Sequence, residues 1–449
     1  MLRRNGRVLR ALDATAAADF EALEATKFFA EAVEDGRIVA TRRLAEVPAE
    51  LARDGWVVAL EHDVVPVISY PFEWTFAMLR EAALLQLDLT EQALDEGLIT
   101  KDATPYNVQF LGAGPVFIDI GSFERLTRGE PWFGYRQFCE QFLNPLLLGA
   151  AGVPWRPWVR GTTRGITPAE CRDTLPLRRR MRPSVFAHVG LHAWAERRFA
   201  ASSRDVRGEM RSAGMGPAVI RAQLRRLRKV VRRLHWRPRE TAWSGYGDRA
   251  HYDDADLGAK EDFVRKAAAR RHRAQVLDLG ANDGRFTDAA LEHADYAVAL
   301  DRDEVAVDRL YTRLRERGEQ RVLPLCVDLG DPSGSFGWRA RERSAFFDRV
   351  HPDLVLLLAV VHHLAITDNV PLSEVVAMLA ALGSDTVVEF PTPDDPMVQR
   401  LAAQKKDHDA RRYDVATFEA AVGAHGFDVA ERTPLPSGTR LMYDLRRRT

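Results

Sequence analysis

The C-terminal part of the chain, from about residue 274 onward, predicts an α/β fold in which a mostly parallel sheet carries helices on both faces. Short apolar runs alternate with helical patterns there, as expected of successive βαβ units. Seven runs have the character of strands, and the last two are spaced like the arms of a hairpin. The predicted strands are 275–279, 296–300, 322–327, 354–358, 386–390, 427–433 and 441–445.

The first 150 residues predict a domain of a different type, an α+β domain. Apolar helical segments at 73–87 and 135–148 alternate with β-like runs. These runs lie at 55–60, 64–70 and 116–120.

The middle of the chain is basic. Although Lys and Arg balance Asp and Glu at 64 each over the 449 residues, residues 151–250 hold 23 Lys and Arg against 7 Asp and Glu, a net charge of +16. In 223–234 apolar residues recur at helical spacing with arginines on the remaining surface, which predicts an amphipathic basic helix. A single hydrophobic core seldom extends over as many as 449 residues. We therefore expect an α+β domain at 1–150, an Arg-rich helical region at 151–240 and an α/β domain at 241–449.

Composition excludes several classes of protein. A hydrophobic content of 46% with 29% charged residues is typical of globular proteins. No apolar run reaches the roughly 18 residues that a bilayer span needs, and no signal-type apolar core follows the first residues. The three cysteines have neither disulfide nor metal-ligand spacing. We therefore expect a cytoplasmic protein without a membrane span.

A candidate ligand site follows the first strand of the α/β domain. The segment 276–284 is a buried strand that enters a turn bracketed by Gly280 and Gly284, with Asn282 between them. Glycines let a ligand approach the backbone, and ligands of open α/β sheets bind where strands end at their carboxyl edge. Asp278 either orients this turn or receives an amino group of the ligand.

Acidic residues end the next two strands. Asp301, followed by Arg302, comes 17 residues after Gly284, about where a Rossmann-type unit places the carboxylate that binds two ribose hydroxyls. Asp328 ends the third strand and can accept from an exocyclic adenine amine, while Leu329 packs on the ring.

Together these positions predict a Rossmann-like methyltransferase sheet that binds S-adenosylmethionine (SAM). A phosphate-binding Gly-x-x-x-x-Gly-Lys-Ser/Thr motif is missing from the turn, and Asp278 with Asp283 would repel a pyrophosphate, which disfavours NAD.

Candidate catalytic residues follow the fourth and fifth strands. Methyl transfer from a sulfonium needs alignment and sometimes a base, and His362 or His363 can accept a proton near neutral pH. One of the two can instead pack or cap the following helix. Glu389 adds a carboxylate at the same edge, and with Asp394, Asp395 and the histidines it could ligate a metal. Helix capping explains the aspartates without one, so we expect no metal.

The chain resembles the NoeA-type family of nodulation methyltransferases over most of its length. The resemblance is carried by 276–284, 359–364, 369–372, 389–391 and 395–401. It also covers 241–246, which ends at Tyr246, together with Tyr252 and Lys260, and it implies that this stretch closes over SAM. For some members the family name implies modification of glycans or small molecules.

The first domain resembles the kinase fold in two loops. Lys101-Asp102 with Asn107, and Asp119-Ile-Gly121 after a short hairpin, look like its catalytic and metal-binding loops. The resemblance implies that Asp102 acts on an acceptor hydroxyl and that Asn107 and Asp119 hold magnesium. A glycine-rich loop and a secure strand lysine are missing, so a degenerate or repurposed kinase-like domain that holds substrate is the favoured interpretation. Ordinary turn and cap chemistry at Asp102 and Asn107 is the alternative.

The sequence therefore predicts a SAM-dependent methyltransferase that acts on an oxygen or nitrogen nucleophile of a small molecule or glycan. One alternative is an RNA methyltransferase guided by the basic helices, although a charged helix face is more often simply solvated. Others are a bifunctional protein with kinase-like ATP binding, and a binding protein without activity.

Overall fold

The computed structural model describes residues 2–4, 6–127, 129–181, 216–238, 254–405 and 413–448. The chain forms two compact units, Met1–Arg239 and Glu240–Thr449. Across the described residues, every helix is too short or too polar to cross a membrane.

A small antiparallel sheet and a buried helix organise the described part of the N-terminal unit. The strands are β1 (Leu2–Arg4), β2 (Arg7–Leu12), β3 (Thr41–Arg43) and β4 (Val58–His62), in the order β1-β2-β4-β3. Helices α1 (Ala14–Glu24) and α2 (Lys27–Glu34) follow β2, and α3 (Ala49–Arg53) precedes β4. The long helix α4 (Phe76–Asp95) is capped by Thr75, whose side chain accepts from the Met78 N–H, and it is buried along much of its length.

Two short antiparallel pairs follow α4. Strand β5 (Leu98–Thr100) pairs with β8 (Phe123–Arg125), and β6 (Val108–Leu111) forms a hairpin with β7 (Gly114–Phe117). The loops that hold Asp102 and Asp119 flank this hairpin. Further helices are α5 (Gly134–Phe138), a π-helix (Cys139–Leu143), α6 (Asn144–Ala150), α7 (Arg156–Gly161), α8 (Pro168–Thr174) and α9 (Leu177–Arg180).

The strand predicted at 64–70 is wrong. That segment has no ladder pairing, because Pro66 lacks a donor and the buried Ser69 N–H donates to the Gln109 side chain at 2.8 Å. A run of apolar residues therefore folds as a buried loop. The run at 116–120 contains only the end of β7, after which the chain turns through Asp119.

The basic helix α10 (Pro217–Arg232) belongs to the N-terminal unit and packs along α4. Its apolar face is buried, and its arginines form ion pairs with acids of α4. These pairs join Arg221 to Asp95 at 2.5 Å, Arg225 to Glu91 at 2.7 Å and Arg228 to Asp88 at 2.7 Å, and Arg228 also contacts Glu91. Part of the basic charge of the middle region is thus neutralised within the fold.

In the described part of the C-terminal unit, seven strands form one sheet in the order β11-β10-β9-β12-β13-β15-β14. The first five strands in this order are parallel, and β15 runs antiparallel to both β13 and β14. The seven predicted strands and the final hairpin are confirmed, with ends shifted by one or two residues. The strands are β9 (Arg273–Leu279), β10 (Ala294–Asp301), β11 (Val322–Cys326), β12 (Leu354–Leu357), β13 (Asp385–Pro391), β14 (Phe427–Pro434) and β15 (Arg440–Arg447).

The helices of this unit connect and flank the strands. They are α11 (Asp254–Ala268), α12 (Arg285–Leu291), α13 (Glu304–Glu316), α14 (Leu372–Ala381), α15 (Pro396–Ala403) and α16 (Val415–Ala424). At the amino edge of the sheet, the fully buried Arg273 binds Asp385 at 2.9 Å and ties β9 to β13.

The order of the strands positions the site. From β9 the chain builds outward through β10 and β11, then returns to β12 on the other side of β9. This reversal leaves a crevice at the carboxyl ends of β9 and β12, the place where open α/β sheets bind ligands.

Candidate cofactor and active site

A cleft opens at this reversal point. Its walls come from α11, from the loops after the first four strands of the unit, and from the first turn of α12. The lining residues are Leu257, Lys260, Gly280, Ala281, Asn282, Asp283, Phe286, Leu300, Asp301, Arg302, Asp303, Val327, Asp328, Leu329, Leu358, Ala359, Val360, His363, Leu364 and Asp368.

The turn after β9 depends on its two glycines. Gly280 has φ of 102°, and a Cβ there would lie 2.3 Å from Cγ2 of Val360. Gly284 has φ of 79°, and its Cβ would lie 2.7 Å from Cδ1 of Leu310. Larger residues would be strained in this conformation and would collide with neighbours. Gly280 lines the cleft, whereas Gly284 shapes the turn from behind it.

Asp301, at the end of β10, holds this turn and also faces the cleft. Its two carboxylate oxygens accept from the N–H of Asn282 at 3.0 Å and of Asp303 at 2.8 Å. The first bond supports Asn282 in a left-handed conformation with φ of 49°. Because an ionised carboxylate offers about four acceptor positions, Asp301 retains capacity for ribose hydroxyls. Burial raises the pKa of Asp301 above its ordinary value.

Asp278 lies beneath the turn, outside the lining of the cleft. It is 1% exposed and accepts from the Thr287 hydroxyl of α12 at 2.6 Å. Burial raises its pKa to about 7. Of the two roles predicted for Asp278, its surroundings support orientation of the turn rather than contact with an amino group.

The other predicted cofactor residues lie at the carboxyl ends of β10 and β11. Arg302, Asp328 and Leu329 all line the cleft, and Asp328 also accepts from the Gly330 N–H at 3.0 Å. The sequence reasoning missed Phe286 and Asp368. Phe286 follows the glycine turn directly, which was an available signal, whereas Asp368 reaches the cleft through a loop that no motif marks.

Lys260 of α11 lines the cleft although it lies outside the βαβ units. Its side chain is 1% exposed, and its Nζ lies 2.7 Å from Oε1 of Glu389. Burial lowers its pKa, and Glu389 opposes that effect. The neighbouring predicted contact, Tyr246, lies outside the described residues.

Glu389 differs from the sequence expectation of a residue at the catalytic rim. It is fully buried on β13 and does not line the cleft. Its Oε1 receives both Lys260 and Nη1 of Arg440, the latter at 2.8 Å, and Arg440 also binds Asp395 at 2.7 Å. A carboxylate held by two cations is placed to position those cations rather than to contact a substrate.

Asp395 acts as the cap that the sequence suggested. It accepts from the Met397 N–H at 2.9 Å at the start of α15, and Asp394 is exposed. Within the described ranges, no group of three or more His, Cys, Asp or Glu residues is arranged to hold a metal ion.

The two histidines occupy different positions. His363 lines the cleft, whereas His362 is 1% exposed and both its ring nitrogens are without a hydrogen-bond partner among the described residues. Their ring centroids are 4.1 Å apart. Burial, with Arg302 and Arg440 nearby, lowers the pKa of His363 to about 4, and the pKa of His362 lies well below its ordinary value. His363 is therefore an uncharged imidazole that is accessible to a substrate in the cleft.

The backbone before and after the histidines is unusual. Ala359, which lies just beyond the end of β12, has φ of 55°, and residues His363–Thr367 form a π-helix turn. Left-handed non-glycine residues and π turns are often found at functional sites. His363, which lines the cleft, begins this π-helix turn.

In the N-terminal unit, the three residues of the predicted kinase-like loops, Asp102, Asn107 and Asp119, lie around the β6–β7 hairpin. Asp119 binds Nη2 of Arg10 from β2 at 2.6 Å. Burial raises the pKa of Asp102, and the charge of Asp119 raises it further, so these two carboxylates are close enough to interact. Nδ2 of Asn107 is buried and has no hydrogen-bond partner in the described part of the chain. A Cβ on Gly121 would lie 2.5 Å from Nη1 of Arg10, so glycine makes room for this pair.

Several solved structures that resemble part of this chain carry methyltransferase names. N-methyltransferase NodS from Bradyrhizobium japonicum WM9, crystallised with S-adenosylhomocysteine, is 12% identical and matches 47% of this chain and 100% of its own, with a TM-score of 0.34. Magnesium protoporphyrin IX methyltransferase from Synechocystis PCC 6803 is 15% identical and matches 46% of this chain and 92% of its own, with a TM-score of 0.32. No family model matches the sequence.

The strand order is that of a Rossmann-like sheet, and it brings the glycine turn after β9 and the acids that follow β10 and β11 to one cleft. Over nearly its whole length the chain is similar to a nodulation protein. It is 33% identical over 444 residues to nodulation protein NoeA of Rhizobium meliloti strain 1021, which covers 98% of this chain and 92% of that protein. The chain therefore belongs to the NoeA family of nodulation proteins.

Proposed function

We propose that this protein transfers a methyl group from SAM to an oxygen or nitrogen nucleophile of a small molecule or glycan. The observation that carries the proposal is a single cleft that contains the glycine turn, Asp301, Asp328 and a neutral histidine, His363. Bound SAM would supply a methyl group activated by a sulfonium.

The cleft suits the parts of the cofactor in order. At Gly280 and Asn282 the backbone of the turn is open to the amino-acid end of the cofactor. Asp301 can accept from the ribose hydroxyls, and Asp328 can accept from the adenine amine while Leu329 contacts the adenine ring. Several of the lining side chains are acidic, which favours a ligand that carries a sulfonium and an ammonium.

We assign the role of base to His363. A proton leaves the acceptor nucleophile when the methyl group is transferred, and a neutral imidazole within reach of the cleft can receive it. His363 is uncharged near neutral pH and lines the cleft, whereas His362 is enclosed. His362 packs against His363 and supports the orientation of its ring.

A small molecule or glycan is favoured over RNA by the basic helix. In α10, Arg221, Arg225 and Arg228 bind acids of α4, so a polyanion would have to compete with internal ion pairs. We also place the protein in the cytoplasm, since all three cysteines are free and buried.

Two measurements test this function. Titration calorimetry should show binding of SAM and of S-adenosylhomocysteine. Untargeted mass comparison of metabolites and RNA from cells with and without the gene should then reveal a product 14 Da heavier than its precursor in the small-molecule or glycan fraction. The absence of binding by either cofactor form would reject the proposal, and a methylated RNA would support the RNA alternative instead.

For the N-terminal unit we propose a kinase-like domain that no longer uses magnesium and ATP and instead holds the acceptor. The supporting observation is the ion pair between Arg10 and Asp119, because it neutralises the acid to which the resemblance assigns magnesium. Calorimetry with ATP and magnesium should give no binding heat. Tight binding that Asp119→Asn abolishes would contradict this proposal and support the bifunctional alternative.

A further inference from the structure

We propose that Lys260 recognises the methionine carboxylate of SAM, and that Glu389 and Arg440 act as positioning residues that fix its ammonium group at the cleft. This inference rests on the proposed function, since it concerns the same cofactor. It assigns a new role to a buried charge network that links α11 to strands β13 and β15.

Location gives the first argument. Nζ of Lys260 lies 6.0 Å from the ring centroid of Phe286, which lies in the first turn of the helix that follows the glycine turn. Lys260 thus lies on the side of the cleft where the backbone leaves room for an amino acid. The other cation of the described lining, Arg302, follows the ribose-binding Asp301 and so lies toward the nucleoside side.

The distribution of charge gives the second argument. The cofactor's amino-acid end carries an ammonium and a carboxylate. Acids are plentiful in the described cleft and suit the ammonium, but they would repel the carboxylate unless a cation stands beside it. These acids are Asp283, Asp301, Asp303, Asp328 and Asp368.

The network behind Lys260 gives the third argument. A lysine side chain loses considerable rotamer freedom when it is fixed, and here it is fixed by Glu389 at 2.7 Å. Glu389 is shared with Arg440, which also binds Asp395, so it is itself held from a second side. From α11, Asp256 adds a negative charge near Lys260 and accepts from the Ser437 N–H at 2.8 Å. This arrangement keeps a desolvated ammonium in one place, which is a preorganised site for an anion.

Decarboxylated SAM provides the direct test, because it differs from SAM only by the missing carboxylate. We would measure the dissociation constants of both ligands for the full-length protein and for Lys260→Met, which keeps the length of the side chain but removes the charge. The wild type should prefer SAM over decarboxylated SAM by about tenfold to a hundredfold, as expected for a charge-assisted hydrogen bond. Lys260→Met should lose this preference while its affinity for decarboxylated SAM stays within about threefold.

Control variants separate a binding role from a structural one. Lys266→Met removes an exposed lysine of the same helix, which pairs with Glu431, and should leave both affinities unchanged. Glu389→Gln should reduce the preference for SAM in part, because Lys260 loses its positioning partner. Lys260→Arg restores the charge and should restore part of the preference, which also covers the case in which Lys260→Met does not fold.

The outcomes are distinguishable. Equal losses for both ligands in Lys260→Met would show a purely structural role and overturn the inference, as would an unchanged preference for SAM. If the wild type binds neither ligand, the proposed cofactor itself is wrong and the inference falls with it.

Discussion

Asp301 is the residue whose removal most directly tests the cofactor site. Its carboxylate supports the glycine turn through two backbone N–H groups, and we propose that it also accepts from two ribose hydroxyls. Asp301→Ala should therefore change both the stability of the domain and its affinity for the cofactor.

The expected magnitudes follow from these contacts. Two charge-assisted hydrogen bonds to ribose, at about 1.5 to 3 kcal/mol each, imply a loss of cofactor affinity of at least about a hundredfold. The two backbone N–H groups left without an acceptor destabilise the domain by about 1 kcal/mol each. For a domain of this size that corresponds to a fall in Tm of roughly 4 to 8 °C.

Calorimetry with S-adenosylhomocysteine and thermal melting would measure the two effects. The matched control is Asp295→Ala, because Asp295 also lies on β10 but is exposed and pairs only with His272 in the described residues. A direct ribose contact further predicts that Asp301→Ala no longer distinguishes S-adenosylhomocysteine from its 2′-deoxyribose analogue. Affinity within threefold of wild type, or an undiminished preference for the ribose form, would refute the assignment.

The remaining predictions concern pH, catalysis and the basic helix. Burial raises the pKa of Asp278 from 3.8 to about 7, so between these pH values only the folded state holds the proton. The free energy of unfolding should therefore fall as pH rises through this window and level off above it. Asp278→Asn, whose side-chain oxygen still accepts from Thr287, should flatten this slope in thermal melts from pH 4 to 8. It should also stabilise the domain above pH 7 by a few kcal/mol, on the order of 1.4 kcal/mol for each unit of pKa shift. An unchanged slope would contradict the argument. His363→Ala should lower methyl transfer from labelled SAM into cell extract by about a hundredfold or more while SAM affinity is retained, and full activity would mean that the base lies elsewhere. Arg228→Ala should destabilise the N-terminal unit by about 1 kcal/mol in denaturant melts and leave SAM affinity unchanged, and SAM binding should vary little between 50 and 200 mM salt, unlike RNA binding.

Some of the site could be predicted from the sequence because it depends on short, local patterns. The five parallel strands of the α/β domain are largely buried, so each one contains a short apolar run between turn residues. Gly280, Asp301 and Asp328 come at the ends of such runs, and the carboxyl ends of parallel strands meet at one edge. Their convergence on one cleft follows from strand order alone.

Other features could not be read in this way. His362 and His363 are adjacent in the sequence and identical in chemistry, yet in the tertiary structure His363 lines the cleft and His362 is buried. The segment 64–70 has the composition of a strand, but it folds as a loop in which the Ser69 N–H donates to the Gln109 side chain instead of to a neighbouring strand. Each outcome depends on a conformation or a partner that no local pattern specifies.

The sequence by itself thus determined the α/β fold, the glycine turn and the acids that follow β10 and β11, since hydrophobic periodicity and spacing within one βαβ unit are local properties. Only the tertiary structure decided what long-range charges do. Glu389 is 129 residues from Lys260 and 51 residues from Arg440 in the sequence, yet in the folded chain it lies within hydrogen-bonding distance of both. An acid that the sequence placed among the catalytic residues therefore holds two cations in position. In the same way, arginines of α10 form ion pairs with acids of α4 that are more than a hundred residues away in the sequence. A buried or half-buried charge is stable only beside a partner, and the fold supplies that partner.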